Sequence, residues 1–185
     1  MMGLRRIGRK TICQGEIVDL CSDTVVLPDG KVEDWDFVHH KKGGGAAIVA
    51  VRKSDSRILL VRQFRPAIGE TILELPAGGR DGTEDTMVTA YRELQEETGY
   101  AAEEGSMIKL CHILTAVAWC DEFTDIYLAP SVSKVSSQQL DEAEDINVEA
   151  FDLGDILQMI REGTIKDAKT VAGICAYAAG KGTRS

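Results

Sequence analysis

The chemistry-bearing residues cluster between Gly78 and Gly99. Gly78 is followed after five residues by Glu84, and after seven more by Arg92-Glu93-Leu94-Gln95-Glu96-Glu97-Thr98-Gly99. Met87, Ala90, Tyr91 and Leu94 recur at steps of three and four, which predicts an amphipathic helix over Glu84 to Glu97 with Gly99 as its C-cap. On that helix Glu93 and Glu97 lie one turn apart, with Glu96 beside them. Like charges so placed repel by a few tenths of a kcal/mol per pair, and Arg92 relieves part of this through Glu96 at i+4. A divalent cation reverses the sign, because carboxylates completed by water and substrate phosphate are the usual ligand set of Mg²⁺. The preceding Leu75-Pro76-Ala77-Gly78-Gly79 lets backbone approach a ligand, and the Ala77 carbonyl is the expected further hard oxygen. A bare acidic helix face is ordinarily a solvated surface. The spacing of the fixed Gly, Glu and Arg positions, however, arises by chance only on the order of a few times in a million.

The elements that must hold this tract are readable around it. Asp29-Gly30 between two β-favouring runs predicts an N-terminal β-ribbon over Ile12 to His40. Lys41 to Gly45 reads as a short linker. Ala46 to Val51 and Ile58 to Val61 are continuously apolar, as strands covered on both faces are. A strand over Ile72 to Gly79 is stopped by proline and glycines, so a loop is expected after it. Further strands are expected at Ile108 to Val117, Thr124 to Leu128 and Ile146 to Phe151, with a polar loop over Ser131 to Asp145. Two helices, Leu153 to Glu162 and Asp167 to Ala179, close the chain. No internal repeat or low-complexity segment interrupts this order.

Composition narrows the function classes. The 185 residues suit one core with an accessory segment, since a domain takes about 150. With 21 basic against 30 acidic residues and a formal net charge of −9, the chain is a poor non-specific partner for nucleic acid or anionic lipid. Any phosphate chemistry here needs positive charge from elsewhere. The five cysteines contain no C-x-x-C pair, against a disulfide framework or a structural zinc site. No apolar run follows Arg5, Arg6, Arg9 and Lys10, and none approaches the ~20 residues of a membrane span, so a cytoplasmic location without membrane attachment is expected. His39, His40 and His112 fit no triad or metal pattern, and Trp35 and Trp119 read as core or interface residues.

Gly78 to Tyr100 resembles the Nudix box, the 23-residue loop-helix signature of Nudix hydrolases, with Tyr100 at its final, normally aliphatic position. Val61 to Pro66, Leu73 to Gly78, Asp121-Glu122, Glu144-Asp145-Ile146 and Asp167 to Thr170 are similar to stretches of the ADP-ribose pyrophosphatase branch. The resemblance implies an α/β fold, a Nudix-type α/β/α sandwich around a mixed sheet with the N-terminal β-ribbon attached. It divides the chain into a ribbon at 1–42, pairing with a second copy in a homodimer, and a hydrolase domain at 43–185. The implied activity is hydrolysis of the diphosphate of ADP-ribose or a related nucleoside diphosphate sugar with Mg²⁺, or Mn²⁺. A metal bridges carboxylates to phosphate oxygens that the acids alone would repel. By resemblance Glu93, Glu97, Glu96, the Ala77 carbonyl and Glu144 are metal ligands. Glu142 is the general base, with Glu144 as the alternative, and Glu96 and Arg92 complete the catalytic set, Arg92 by orienting the acids. Arg65, Glu122 and Glu74 are the expected substrate contacts, on phosphate or ribose, a second ribose and the base respectively. The branch commonly carries a Ser-Pro-Gly-like stretch before Asp121. Here it reads Ala116-Val117-Ala118-Trp119-Cys120, which keeps GDP-mannose and UDP-glucose open as substrates. A nucleotide-sensing module without catalysis is the other class, and the intact Glu93, Glu96 and Glu97 set argues against it.

Overall fold

The computed structural model describes residues 3–140 and 145–181. They fall into two compact units, one comprising the chain up to Gly44 with Leu114–Phe123, the other Gly45–Ile113 with the chain from Thr124 onward.

The first unit is a three-stranded antiparallel sheet, β1 (Arg5–Gln14), β2 (Val18–Val26) and β3 (Val32–His40), in that order. The Asp29-Gly30 turn forms as expected: Leu27 and Lys31 close it with a 2.8 Å hydrogen bond, and Gly30 takes φ 87°. The ribbon extends further toward the N-terminus than its apolar pattern suggests, because charge rather than apolar residues pins β1. Arg9 donates two hydrogen bonds to Asp23 (2.7 and 2.8 Å) and stacks on the Phe37 ring, while Lys10 reaches Asp34 at 3.1 Å. The segment Thr115 to Cys120 is not a strand. It turns back so that Cys120 forms a parallel bridge with Val38.

The second unit is built on β4 (Gly44–Arg52), β5 (Ile58–Arg65), β6 (Glu70–Glu74), β7 (Ala77–Gly79), β8 (Tyr100–Ala102), β9 (Ile108–Leu114), β10 (Phe123–Lys134) and β11 (Ile146–Phe151). Their order is β11-β5-β4-β10-β8, with β6 paired to β5, β7 to β4 and β9 to β10. Helices α1 (Thr86–Thr98), α2 (Leu153–Arg161) and α3 (Ala168–Lys181) cover the sheet. The apolar run in β4 is explained by its two faces. Ala47, Val49 and Val51 pack with Ile156 of α2 and Ile174 of α3, whereas Ala46, Ile48 and Ala50 pack with Ala90 and Leu94 of α1. The result is the expected α/β/α sandwich around a mixed sheet.

Two expectations need correction. The single strand expected over Ile72 to Gly79 is broken at Leu75-Pro76: β6 pairs with β5, whereas Ala77–Gly79 pairs with Gly45–Ala47 of β4 before the expected loop begins. Glycine permits that approach: a Cβ on Gly45 would stand 2.1 Å from the Gly78 carbonyl oxygen. The polar loop expected from Ser131 begins only after Lys134, since Val132 is buried and the end of β10 pairs with β8. Both strands are three-residue pairings made by tertiary context, too short for a periodic signal. Among the described residues, no helix is long and apolar enough to cross a membrane.

Leu94 is the fully buried contact that seats α1 on the sheet. Leu94→Ala is expected to lower the unfolding free energy by about 3 kcal/mol in urea titrations; a loss below about 1 kcal/mol would contradict this packing.

Candidate active site

Helix α1 starts where Asp85, extended at φ −67° and ψ 140°, accepts the Met87 amide at 2.8 Å. It ends where Gly99, left-handed at φ 71°, returns its amide to the Gln95 carbonyl. Its buried stripe of Thr89, Ala90, Leu94 and Thr98 fixes the rotation of the helix, and this places the acids against β7. Glu97 is 4% exposed and accepts the Ala77 amide at 2.9 Å. Glu93 rests on Gly78 so closely that a Cβ there would stand 2.0 Å from its carboxylate. Glu96, half-buried, is the most exposed of the three.

Arg92 gathers the acids. It donates to Glu93 (2.8 Å), Glu96 (3.0 Å), Glu84 (2.8 Å) and the Gly79 carbonyl (3.0 Å), and its Nε lies 3.6 Å from Asp81. Burial opposes the charge on Arg92, but hydrogen bonds and charge from Glu84, Glu93 and Glu96 outweigh it and raise the pKa. Arg92 therefore relieves more of the repulsion than its i+4 spacing to Glu96 alone suggests. In this arrangement the acids surround a guanidinium. Among the described residues no group of three or more His, Cys, Asp or Glu side chains is set to hold a metal ion. The donor chemistry nonetheless fits a hard dication, since Glu93 and Glu97 flank the Ala77-Gly78 backbone from the same helix face.

A second polar cluster forms beside the first. Arg65 donates to Glu74 from Nε (2.6 Å) and Nη2 (2.8 Å), and Lys169 donates to the same carboxylate. Glu74 is 1% exposed. Burial pushes its carboxyl up, but Arg65 and Lys169 overcome this and hold it below the usual value. Lys169 also meets Asp167 at 3.1 Å, and Asp167 accepts the Thr170 amide and hydroxyl. Thr170 in turn accepts the buried Leu75 amide at 2.9 Å.

The expected residues are thus partly brought together. Ala77, Arg92, Glu93, Glu96 and Glu97 form one cluster, and Arg65 pairs with Glu74. The carboxylate of Glu74, the expected base contact, is buried and bonded to Arg65 and Lys169. Glu122 belongs to the first unit, where it accepts from Thr115 at 3.2 Å and lies 3.8 Å from His40. Glu142 and Glu144 lie outside the described residues. Trp35 and Trp119 are not core residues. Both are about half exposed and line a cleft of about 330 Å³ in the first unit with Arg6, Arg9 and Phe37. Sequence reasoning gave Lys169 and Thr170 no role. Their signal is an Asp-x-Lys-Thr start to a helix, which also reads as an ordinary N-cap.

A sheet sandwiched between helices, with an Arg-bound acid array on the first helix against a Gly-rich strand, is the arrangement that the Nudix resemblance leads one to expect. Residues 41–173 match the NUDIX domain, and the chain belongs to that family. It is 34% identical over 171 residues to an ADP-ribose pyrophosphatase of Bacillus subtilis (strain 168), covering 92% of this chain and 90% of that protein. It is 36% identical, with the same coverage, to a methanol dehydrogenase activator of Bacillus methanolicus. A crystal structure of an ADP compounds hydrolase superposes with a TM-score of 0.82 at 18% identity, covering 100% of this chain and 97% of that one, a likeness of fold.

Glu84 accepts from Arg92, the Asp81 amide and Thr89, and the Arg92 bond foremost draws its pKa from 4.5 down to about 2. A depressed folded pKa adds stability that is complete above the unfolded value and vanishes as pH falls to the folded one. In chelator-containing buffer the Tm difference between wild type and Glu84→Gln is expected to be constant above about pH 5 and to close between about pH 4.5 and 2. A difference still undiminished near the acid end of that window would contradict the assignment.

Proposed function

We propose that this Nudix hydrolase cleaves the diphosphate linkage of ADP-ribose or a related nucleoside diphosphate sugar, using Mg²⁺ or Mn²⁺, to give a nucleoside monophosphate and a sugar phosphate. The observation that carries the reading is the acid array of α1, bonded to the Ala77 amide through Glu97 and packed on Gly78 through Glu93. Glu93, Glu97, Glu96, the Ala77 carbonyl and Glu144 are the proposed metal ligands. A dication held there would supply charge neutralisation for the diphosphate and would lower the pKa of the attacking water. Glu142, or Glu144 in its place, takes a proton from the attacking water as the water oxygen bonds to one phosphorus of the diphosphate, the bridging P–O bond to that phosphorus breaks, and the departing phosphate keeps the electron pair. Arg92 orients the acids. Arg65 presents its guanidinium to a substrate phosphate or ribose, and Glu122 accepts from a ribose hydroxyl.

The relative from Bacillus subtilis supports ADP-ribose as the first substrate to test. The proline-free Ala116 to Cys120 stretch keeps GDP-mannose and UDP-glucose in the panel. We place the enzyme in the cytoplasm, in keeping with its five free cysteines, as a homodimer joined through the ribbon. All ten β1 residues are exposed, Ile7 and Ile12 among them, which suits an edge strand awaiting a partner. Sedimentation is expected to give a mass of about twice 20.1 kDa, and a monomer at micromolar concentration would exclude that dimer.

Incubated with Mg²⁺ and ADP-ribose, GDP-mannose, UDP-glucose or NADH, the protein is expected to release mononucleotide and sugar phosphate in equal amounts from a nucleotide sugar. Glu97→Gln keeps an oxygen for the Ala77 amide, so it is expected to fold normally and yet lose about 100-fold or more in turnover. No cleavage of any nucleotide sugar, or wild-type turnover in the variant, would refute the reading.

A further inference from the structure

Lys169 stands in the first turn of α3, outside the acid array, and is mostly buried. Its ammonium lies between two carboxylates, Glu74 and Asp167. Burying an ammonium is costly unless charge partners repay the lost hydration. A residue needed only to fill this space would more cheaply be apolar. The partner Glu74 is equally informative. Its carboxylate grips one edge of the Arg65 guanidinium, through Nε and Nη2, while the Arg65 side chain remains 39% exposed. The grip fixes the guanidinium plane and leaves its other edge directed away from Glu74. An arginine without such a clamp would have to order several side-chain torsions on meeting an anion, and that ordering weakens binding.

We propose that Lys169 is a positioning residue: by holding the Glu74 carboxylate in place it sets the orientation of Arg65, so that the start of the last helix serves the anion-binding edge of the site. Lys169 acts through Glu74 and Arg65, and Glu74 likewise positions without touching substrate. The inference rests on the proposed hydrolysis only in taking Arg65 to meet a substrate phosphate or ribose.

The test is a double-mutant cycle on the full chain with ADP-ribose and Mg²⁺. Lys169→Met is expected to raise KM about tenfold with kcat within about twofold of wild type, and Lys169→Arg to restore most of the loss. Adding Lys169→Met to Arg65→Met is expected to cost nothing further in KM, because both remove the same interaction. Multiplying effects, or a fall in kcat and Tm with KM unchanged, would overturn the inference in favour of a structural lysine. A second readout needs no substrate. The ¹⁵N signal of Arg65 Nε–H is expected to be protected from solvent exchange in wild type and exposed in Lys169→Met, and equal protection in both would equally overturn it. If wild type cleaves no nucleotide sugar, the hydrolysis reading fails, while the exchange measurement still decides the role of Lys169.

Discussion

The site is organised by one guanidinium placed among acids. Two unit charges at 4 Å repel or attract by about 4 kcal/mol at an effective dielectric near 20, so carboxylates gathered on one helix face need a counter-charge of comparable reach. Arg92 supplies it for Glu84, Glu93 and Glu96 at once and ties the group to the Gly79 carbonyl. Glu97 stands apart from that fan. It is buried and held by a backbone amide, with its charge directed at the strand that carries Ala77. The acids are thus stable as a set around Arg92.

The strand segment in front of the helix is restrained from both faces of the sheet. From the α3 side Thr170 accepts the Leu75 amide, and from the α1 side Glu97 accepts the Ala77 amide. Between them the Pro76 carbonyl accepts the Ile48 amide of β4 at 2.9 Å. Consecutive residues therefore bond to the last helix, the central sheet and the box helix in turn. The two-sided β4 packs on α1 with one set of side chains and on α2 and α3 with the other, so the strand that donates to the Pro76 carbonyl is itself held from both faces.

Much of this was legible in the residues. The span of α1, its glycine cap, the Asp29-Gly30 hairpin and the apolar runs of β4 and β5 follow from periodicity and turn chemistry, because these elements are long or locally determined. The short pairings of Ala77–Gly79 with β4 and Tyr100–Ala102 with β10 were not, since each depends on a partner strand remote in sequence. Within the site, the helical spacing of Glu93, Glu96 and Glu97 was readable, but the reach of Arg92 to Glu84 needed the loop geometry. The pairing of Arg65 with Glu74 joins β5 to β6, and Lys169 joins them from nearly a hundred residues away. Such contacts between distant, unlike charges leave no periodic trace, so the burial of the Glu74 carboxylate between Arg65 and Lys169 is not readable from the residues.

The central claim is that the acid face of α1 gathers dications around a diphosphate. Crystals grown with Mn²⁺ and a non-hydrolysable ADP-ribose analogue test it most directly, through anomalous scattering at the manganese edge. The account predicts manganese bound by the Glu93 and Glu97 carboxylates and by the oxygens of the analogue's diphosphate. An analogue bound with no manganese on α1, or manganese held only at other acids, would contradict it.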